Sequence, residues 1–419
     1  MLEINRALYL NKPTTEESDK HLEIKRVTYK FMKLLKTVYN SSKITLRMRT
    51  LLLLFFFVSV FDMKGQSNSE ELINYLKTYA YSPEKYIIEK FKMHDVILLG
   101  EHHMVKQNLL FIQRLIPMLY HNGIYTIGME FGAYENQNRL DSLLIAKKYD
   151  QKLAERFMFD YNVTWAYQEY IDVAKAAWVF NSKLPKGAKT FRILNLSYVY
   201  HWEKFKGKRN PSSMKEVFPK GSVDNFRANV IENEVLSKNE KILVLVGTPH
   251  AYTKYGSPYF LYNSDNFCAY DYNWLGNRLY KKYSNKTFNI ILHQAFTEVK
   301  DDNYILISPL DGQIEELMLK NENRPIGFDL INSPLGRIKD NSVHSLCYDN
   351  FTIDQLFDGY IFLKPLNELE GCTVIPDFVN EQNINKALEQ FPDPDWHPKV
   401  TNLQEMMEFI KVNSKQLKF

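Results

Sequence analysis

Hydrophobic and polar positions along this chain follow two alternating spacings. Apolar runs of strand length occur at Val96–Leu99, Tyr125–Met129, Phe191–Leu196, Leu243–Val246, Asn289–Gln294, Tyr304–Ile307 and Tyr360–Leu363. Between them, Ser69–Tyr79, Lys106–Tyr120, Glu135–Ala146, Tyr167–Asn181 and Asp224–Ser237 carry apolar residues at helical spacing. The first pattern predicts buried strands and the second predicts amphipathic helices. Local punctuation agrees: Ser82-Pro83 ends the first helix, Asn122-Gly123 stops the one before it, and Lys183–Lys189 is a Pro/Gly loop. Runs such as Val-Ile-Leu-Leu, apolar at every position, suit strands covered on both faces. The predicted fold class is therefore α/β, a central mostly parallel sheet flanked by helices. His201–Val223 is rich in Lys, Gly, Pro and Ser and reads as an exposed insertion, a candidate lid. Residues after about 300 lose regular periodicity and are expected to cover one edge of the sheet.

Three of these strands run into chemistry-bearing side chains. Val96–Leu99 meets Gly100, which permits a sharp turn, and then Glu101, His102 and His103. Tyr125–Met129 delivers Glu130, and Leu243–Val246 meets Gly247 and then His250. In open α/β sheets, sites form beyond the carboxyl ends of the strands, so residues distant in sequence meet there. Gly-x-x-His thus occurs twice, and its repetition separates these residues from ordinary caps. Singly, Glu101 would serve equally as a cap on the following helix, and His102 faces away from its neighbours. The imidazoles of His103 and His250 are expected to face a cleft. Two chemistries fit Glu101, His103, Glu130 and His250. In one, neutral His103 is a general base on water, oriented by Glu101. In the other, His103, Glu130 and His250 ligate a divalent metal such as Mn, Co or Zn, leaving a position for water and Glu101 to take its proton. The symmetric presentation of two imidazoles favours the metal version. His94, His121, His201, His293, His344 and His397 show no partner spacing and read as structural.

Composition narrows the class. The chain has 419 residues, 45% of them hydrophobic, enough to bury a large core. Its net charge of +4 is misleading, because residues 1–50 hold eleven Lys/Arg against five Asp/Glu, leaving a net −2 for the remainder. There is no basic stripe for nucleic acid. Leu51–Phe61 is too short to span a bilayer but suits a signal-peptide core, with Met48-Arg49 before it and Gly65-Gln66-Ser67 as a cleavage zone. The expectation is an N-terminal extension and signal peptide over 1–66, translation starting at Met48, and a single α/β catalytic domain over 67–419. The mature protein would begin near Gln66, be exported and carry no membrane span. The rival reading is a signal anchor with a cytoplasmic tail. Three cysteines, Cys268, Cys347 and Cys372, with no CxxC pair, indicate neither a zinc ribbon nor a disulfide framework.

Gly100-Glu101-His102-His103, Met129-Glu130 and Gly247-Thr248-Pro249-His250 together resemble the superfamily of erythromycin esterases, ChaN-like haem-binding proteins and TIKI/TraB-type metallopeptidases. Thr164-Trp165, Glu169, Trp178 and Asn181 look like the Trp-rich helix of the esterase branch, and Asp358–Pro365 is similar to a closing strand. The likeness spans roughly residues 90–365 and implies Glu101, His103, Glu130 and His250 as active-site residues. Two departures lean away from the esterase branch. Asn195-Leu196-Ser197 stands where an Asp is usual, and Gly247-Thr248-Pro249 lacks the His that usually precedes the last one. The expected function is exported hydrolysis of an ester or amide bond in a small-molecule or peptide substrate. The alternatives are a haem- or metal-binding ChaN-like module without hydrolytic activity, and a catalytically inactive scaffold.

Overall fold

A computed structural model describes residues 69–207, 209–260, 268–300, 303–395, 397 and 399–415. The expectations for residues 1–66 lie outside the described residues. By backbone contacts the chain divides into two units, one of residues 1–75 and 258–269, the other of residues 76–257 and 270–419. In the first, residues 69–75 are helical and Leu72 is buried. The second holds the candidate site.

The strands in chain order are β1 (Val96–Glu101), β2 (Thr126–Ala133), β3 (Arg192–Ser197), β4 (Ile242–Gly247), β5 (Ser257–Phe260), β6 (Cys268–Asp271), β7 (Thr287–Leu292), β8 (Phe296–Lys300), β9 (Asn303–Ile307), β10 (Ile326–Asp329) and β11 (Gly359–Phe362). Seven form one sheet in the order β10-β11-β7-β1-β4-β2-β3, while β5-β6 and β8-β9 are separate two-stranded sheets. All neighbours in the large sheet run parallel except the edge strand β10. The predicted α/β class with a mostly parallel sheet is what the chain adopts. β1 is central between β4 and β7, and all six of its residues are buried, which is why it reads as an unbroken apolar run. The chain leaves β1 for β2 and β3 on one side, then returns to insert β4 between β1 and β2. That reversal of strand order lies next to the carboxyl ends of β1, β2 and β4.

Helices cover the sheet. Pro83–Phe91 starts with the Ser82 hydroxyl accepting the Lys85 N–H at 3.4 Å and Pro83 in its first turn. Lys106–His121 ends before Gly123, whose φ of +80° is natural for glycine. It packs against Gln168–Asn181.

Several local expectations need correction. β1 continues through Gly100 and Glu101, so Gly100 makes no turn. Its missing side chain instead makes room, since a Cβ there would lie 3.1 Å from the Phe357 ring. The turn comes at Met104, with φ of +66°. β2 runs on to Ala133 with an irregular register between Met129 and Ala133, which places Glu130 within the strand. Residues 303–307 form a strand outside the large sheet, whereas β10 and β11 extend that sheet, so the part after 300 is built into its edge. A helix at Gln151–Tyr161, capped by Asp150, had no clear periodic signal. The insertion is not simply exposed: it contains helix Pro211–Val217 and buries Trp202 and Val217. Cys268 and Cys347 are disulfide-bonded, and Cys372 is a buried free thiol. Among the described residues, no helix is long and apolar enough to cross a membrane.

Candidate active site

The ends of β1, β2 and β4 hold two charged groups of residues. The first is built on β1. Its pleat turns the Glu101 side chain inward, fully buried, and two residues later His103 leaves the strand with 24% of its side chain exposed. His103 Nδ1 lies 3.2 Å from Glu101 Oε1. The Tyr170 hydroxyl, from helix Gln168–Asn181, donates to the same oxygen at 2.6 Å. Burial pushes the Glu101 carboxyl above the ordinary range, against the opposing hydrogen bonds of His103 and Tyr170, and the charge of Glu130 adds to the rise. Phe131 and Trp165 stack at 3.9 Å and form an apolar wall on which the His103 ring rests edge-on, 4.8 Å and 5.6 Å away.

The second group is buried more deeply and centres on Arg227. This guanidinium, from helix Val223–Glu234, donates to Glu130 Oε1 at 2.9 Å, to Asp224 Oδ1 at 3.2 Å and to the Ser197 hydroxyl at 3.1 Å. Ser197 in turn donates to the Glu130 carbonyl at 2.7 Å. Glu130 Oε2 accepts the Gly247 N–H at 2.7 Å, tying β2 to the end of β4. His250 sits between carboxylates, Nδ1 2.7 Å from Asp224 Oδ1 and Nε2 3.4 Å from Glu130 Oε1, with Trp274 edge-on at 5.2 Å. Burial opposes the Arg227 charge, but Glu130, Tyr200 and Asp224 overcome it and hold the guanidinium well above its usual range. Thr248 closes the strand ends by donating to the Glu101 carbonyl at 3.1 Å and accepting from Gln294 at 2.6 Å.

The structure thus gathers Glu101 with His103, and Glu130 with His250, at the same edge of the sheet. Of the two imidazoles expected to face a cleft, His103 is part-exposed and His250 is buried, 4% exposed. Three contributors were missed: Tyr170, Asp224 and Arg227. Asp224 and Arg227 are three apart on one helix, where a buried Arg looks in sequence like any solvated one. Tyr170 carried only the signal of lying beside Glu169. The residues of the Trp-rich helix do other work. Trp178 donates to the Ala146 carbonyl, Asn181 bonds to Leu144 and Phe191, and Glu169 clamps Thr373. Asn195 explains its own departure from Asp: its amide donates to the Ala133 carbonyl at 3.0 Å, which a carboxylate could not do.

No protein-family model matches the chain, and no curated protein matches it. Several solved structures are similar. The crystal structure of a succinoglycan biosynthesis protein aligns at 11% identity with a TM-score of 0.49, covering 71% of this chain and 97% of that one. An erythromycin esterase mutant, EreC in its open conformation, aligns at 11% identity with a TM-score of 0.44, covering 65% and 90%. ChaN of Campylobacter jejuni, described with cofacial heme binding, aligns at 18% identity with a TM-score of 0.32, covering 53% and 91%.

The residues do not fit the expected divalent metal. Among the described residues, no group of three or more His, Cys, Asp or Glu side chains is arranged to hold one. His103 pairs with Glu101, and the Arg227 cation occupies the carboxylate-lined position between Glu130 and Asp224 where a metal charge would be needed. His103 stands in one pairing, with Glu101, and Glu130 and His250 stand in another.

Proposed function

We propose that this chain is a hydrolase of an ester or amide bond whose general base is His103, working without a resident metal. One observation carries the reading: a part-exposed imidazole has one nitrogen held by a fully buried carboxylate at the carboxyl edge of the sheet. Glu101 fixes the ring through Nδ1, so the other nitrogen, Nε2, is the one that takes a proton from water. As that proton moves to His103, the water oxygen bonds to the carbonyl carbon. Collapse breaks the bond to the leaving oxygen or nitrogen, which recovers the proton from the imidazolium. The raised basicity of buried Glu101 strengthens its hold on that imidazolium. Glu130 and His250 act as positioning residues through the Arg227 network, and Phe131 and Trp165 offer the substrate an apolar wall.

Substrate access from outside the cytosol is part of the proposal. The signal-peptide pattern over Leu51–Phe61 and disulfide-bonded Cys268 and Cys347 both suit an exported protein. A panel of small-molecule esters and peptide amides, run with wild type beside His103→Ala, tests the activity. Turnover lost by about 10²–10⁴-fold in the variant is expected for removal of a general base. Equal turnover in the two proteins, or a Soret shift at one equivalent of haem with no hydrolysis by wild type, would overturn it.

A further inference from the structure

Glu101 is held asymmetrically. Both neighbouring donors, the Tyr170 hydroxyl and His103, use Oε1. Oε2 is buried and has no hydrogen-bond partner among the described residues. An acceptor left unspent in a buried position is costly. Tyr170 does more than bond to the carboxylate. Its oxygen accepts the Met104 N–H at 3.1 Å, and Met104 is the left-handed residue that turns the chain immediately after His103. That conformation is unfavourable for residues other than glycine, and the Met104 N–H in it is bonded to the Tyr170 oxygen. One hydroxyl therefore fixes both the carboxylate and the turn that carries the imidazole. Tyr170 itself is immobilised, being 3% exposed and packed edge-on against Phe131 and Trp165. Its burial also keeps the phenol protonated, so it remains a donor at any working pH.

We infer that Tyr170 is a positioning residue for hydrolysis, which locks Glu101 so that Oε1 holds His103 Nδ1 and Nε2 is left to face the attacking water. This deepens the proposed function and rests on it. The phenol does not touch substrate; it acts through Glu101 and Met104.

The test compares Tyr170→Phe, Glu101→Gln, their double variant and Tyr167→Phe. The last removes a buried tyrosine hydroxyl bonded to the Ile410 carbonyl, outside the site, and serves as the structural control. Tyr170→Phe should lower kcat by about 10–100-fold with KM within about twofold, as loss of alignment does. The acid limb of its kcat–pH profile should move upward, because the Tyr170 hydrogen bond lowers the Glu101 pKa and its removal lets it rise. In the Glu101→Gln background the same change should add little, since the two act as one unit. The ring ¹⁵N signals of His103 should shift in Tyr170→Phe and stay fixed in Tyr167→Phe. That spectrum needs no substrate, so it tests the positioning even if the ester panel fails. Unmoved His103 signals in Tyr170→Phe, or independent losses in the double variant, would overturn the inference.

Discussion

Arg227→Met is the perturbation with the largest expected effect on the fold. The guanidinium is 2% exposed and spans Glu130, Asp224 and Ser197 at 2.9–3.2 Å. At an effective dielectric near 20, each ion contact is worth roughly 5–6 kcal/mol before desolvation is counted. The net value of the intact network is far smaller, because burying the charges cost nearly as much. Removing one partner is different: it leaves two carboxylates buried with their counter-charge gone, at a cost of about 3–5 kcal/mol. Methionine fills most of the volume, so cavity formation adds little. The assay is urea unfolding followed by circular dichroism at pH 7. The double variant Arg227→Met/Glu130→Gln should recover part of the loss, with a coupling of up to about 3 kcal/mol. A cost below about 1 kcal/mol for Arg227→Met, or strict additivity with Glu130→Gln, would refute the claim that Arg227 neutralises this buried floor.

Gly132→Ala should destabilise by about 1–3 kcal/mol through overpacking, because its Cβ would fall 2.1 Å from Asn195 Oδ1. Unchanged urea stability would show that Asn195 can move aside. Glu101→Gln should change the pH dependence of stability. Since the folded pKa of Glu101 is raised, its contribution is present below the unfolded glutamate value of about 4.3 and lost as pH rises through the folded value. The variant should therefore gain on wild type as pH rises above about 4, and a stability difference independent of pH would contradict this.

Much of this arrangement was legible in the sequence because strands buried on both faces leave a simple apolar signature. Val96–Leu99 and Leu243–Val246 announced β1 and β4, and the parallel sheet followed from the helices between strands. Boundaries were less visible. Gly100 and Gly247 look like turn residues in sequence, yet both lie within strands, where Gly100 makes space for Phe357 and Gly247 donates its N–H to Glu130. The site was half legible. Glu101, His103, Glu130 and His250 were marked by position, but their pairing depends on strand order, which sequence does not display. Arg227 and Asp224 arrive from a helix whose polar residues carry no sign of burial. Without Arg227 in view, two imidazoles and a carboxylate suggested a cation site; with it, the cation is already part of the chain.

In the proposed hydrolysis the His103–Glu101 pair is the base and needs no metal. The decisive measurement is kcat/KM of chelator-stripped wild type, verified metal-free by mass spectrometry, on the best ester found, beside stripped protein re-supplied with Mn, Co or Zn and beside His103→Ala. The expected result is the same value with and without metal, and a fall of about 10²-fold or more in His103→Ala with its thermal unfolding little changed. Activity that vanishes on stripping and returns with one of the metals would contradict it.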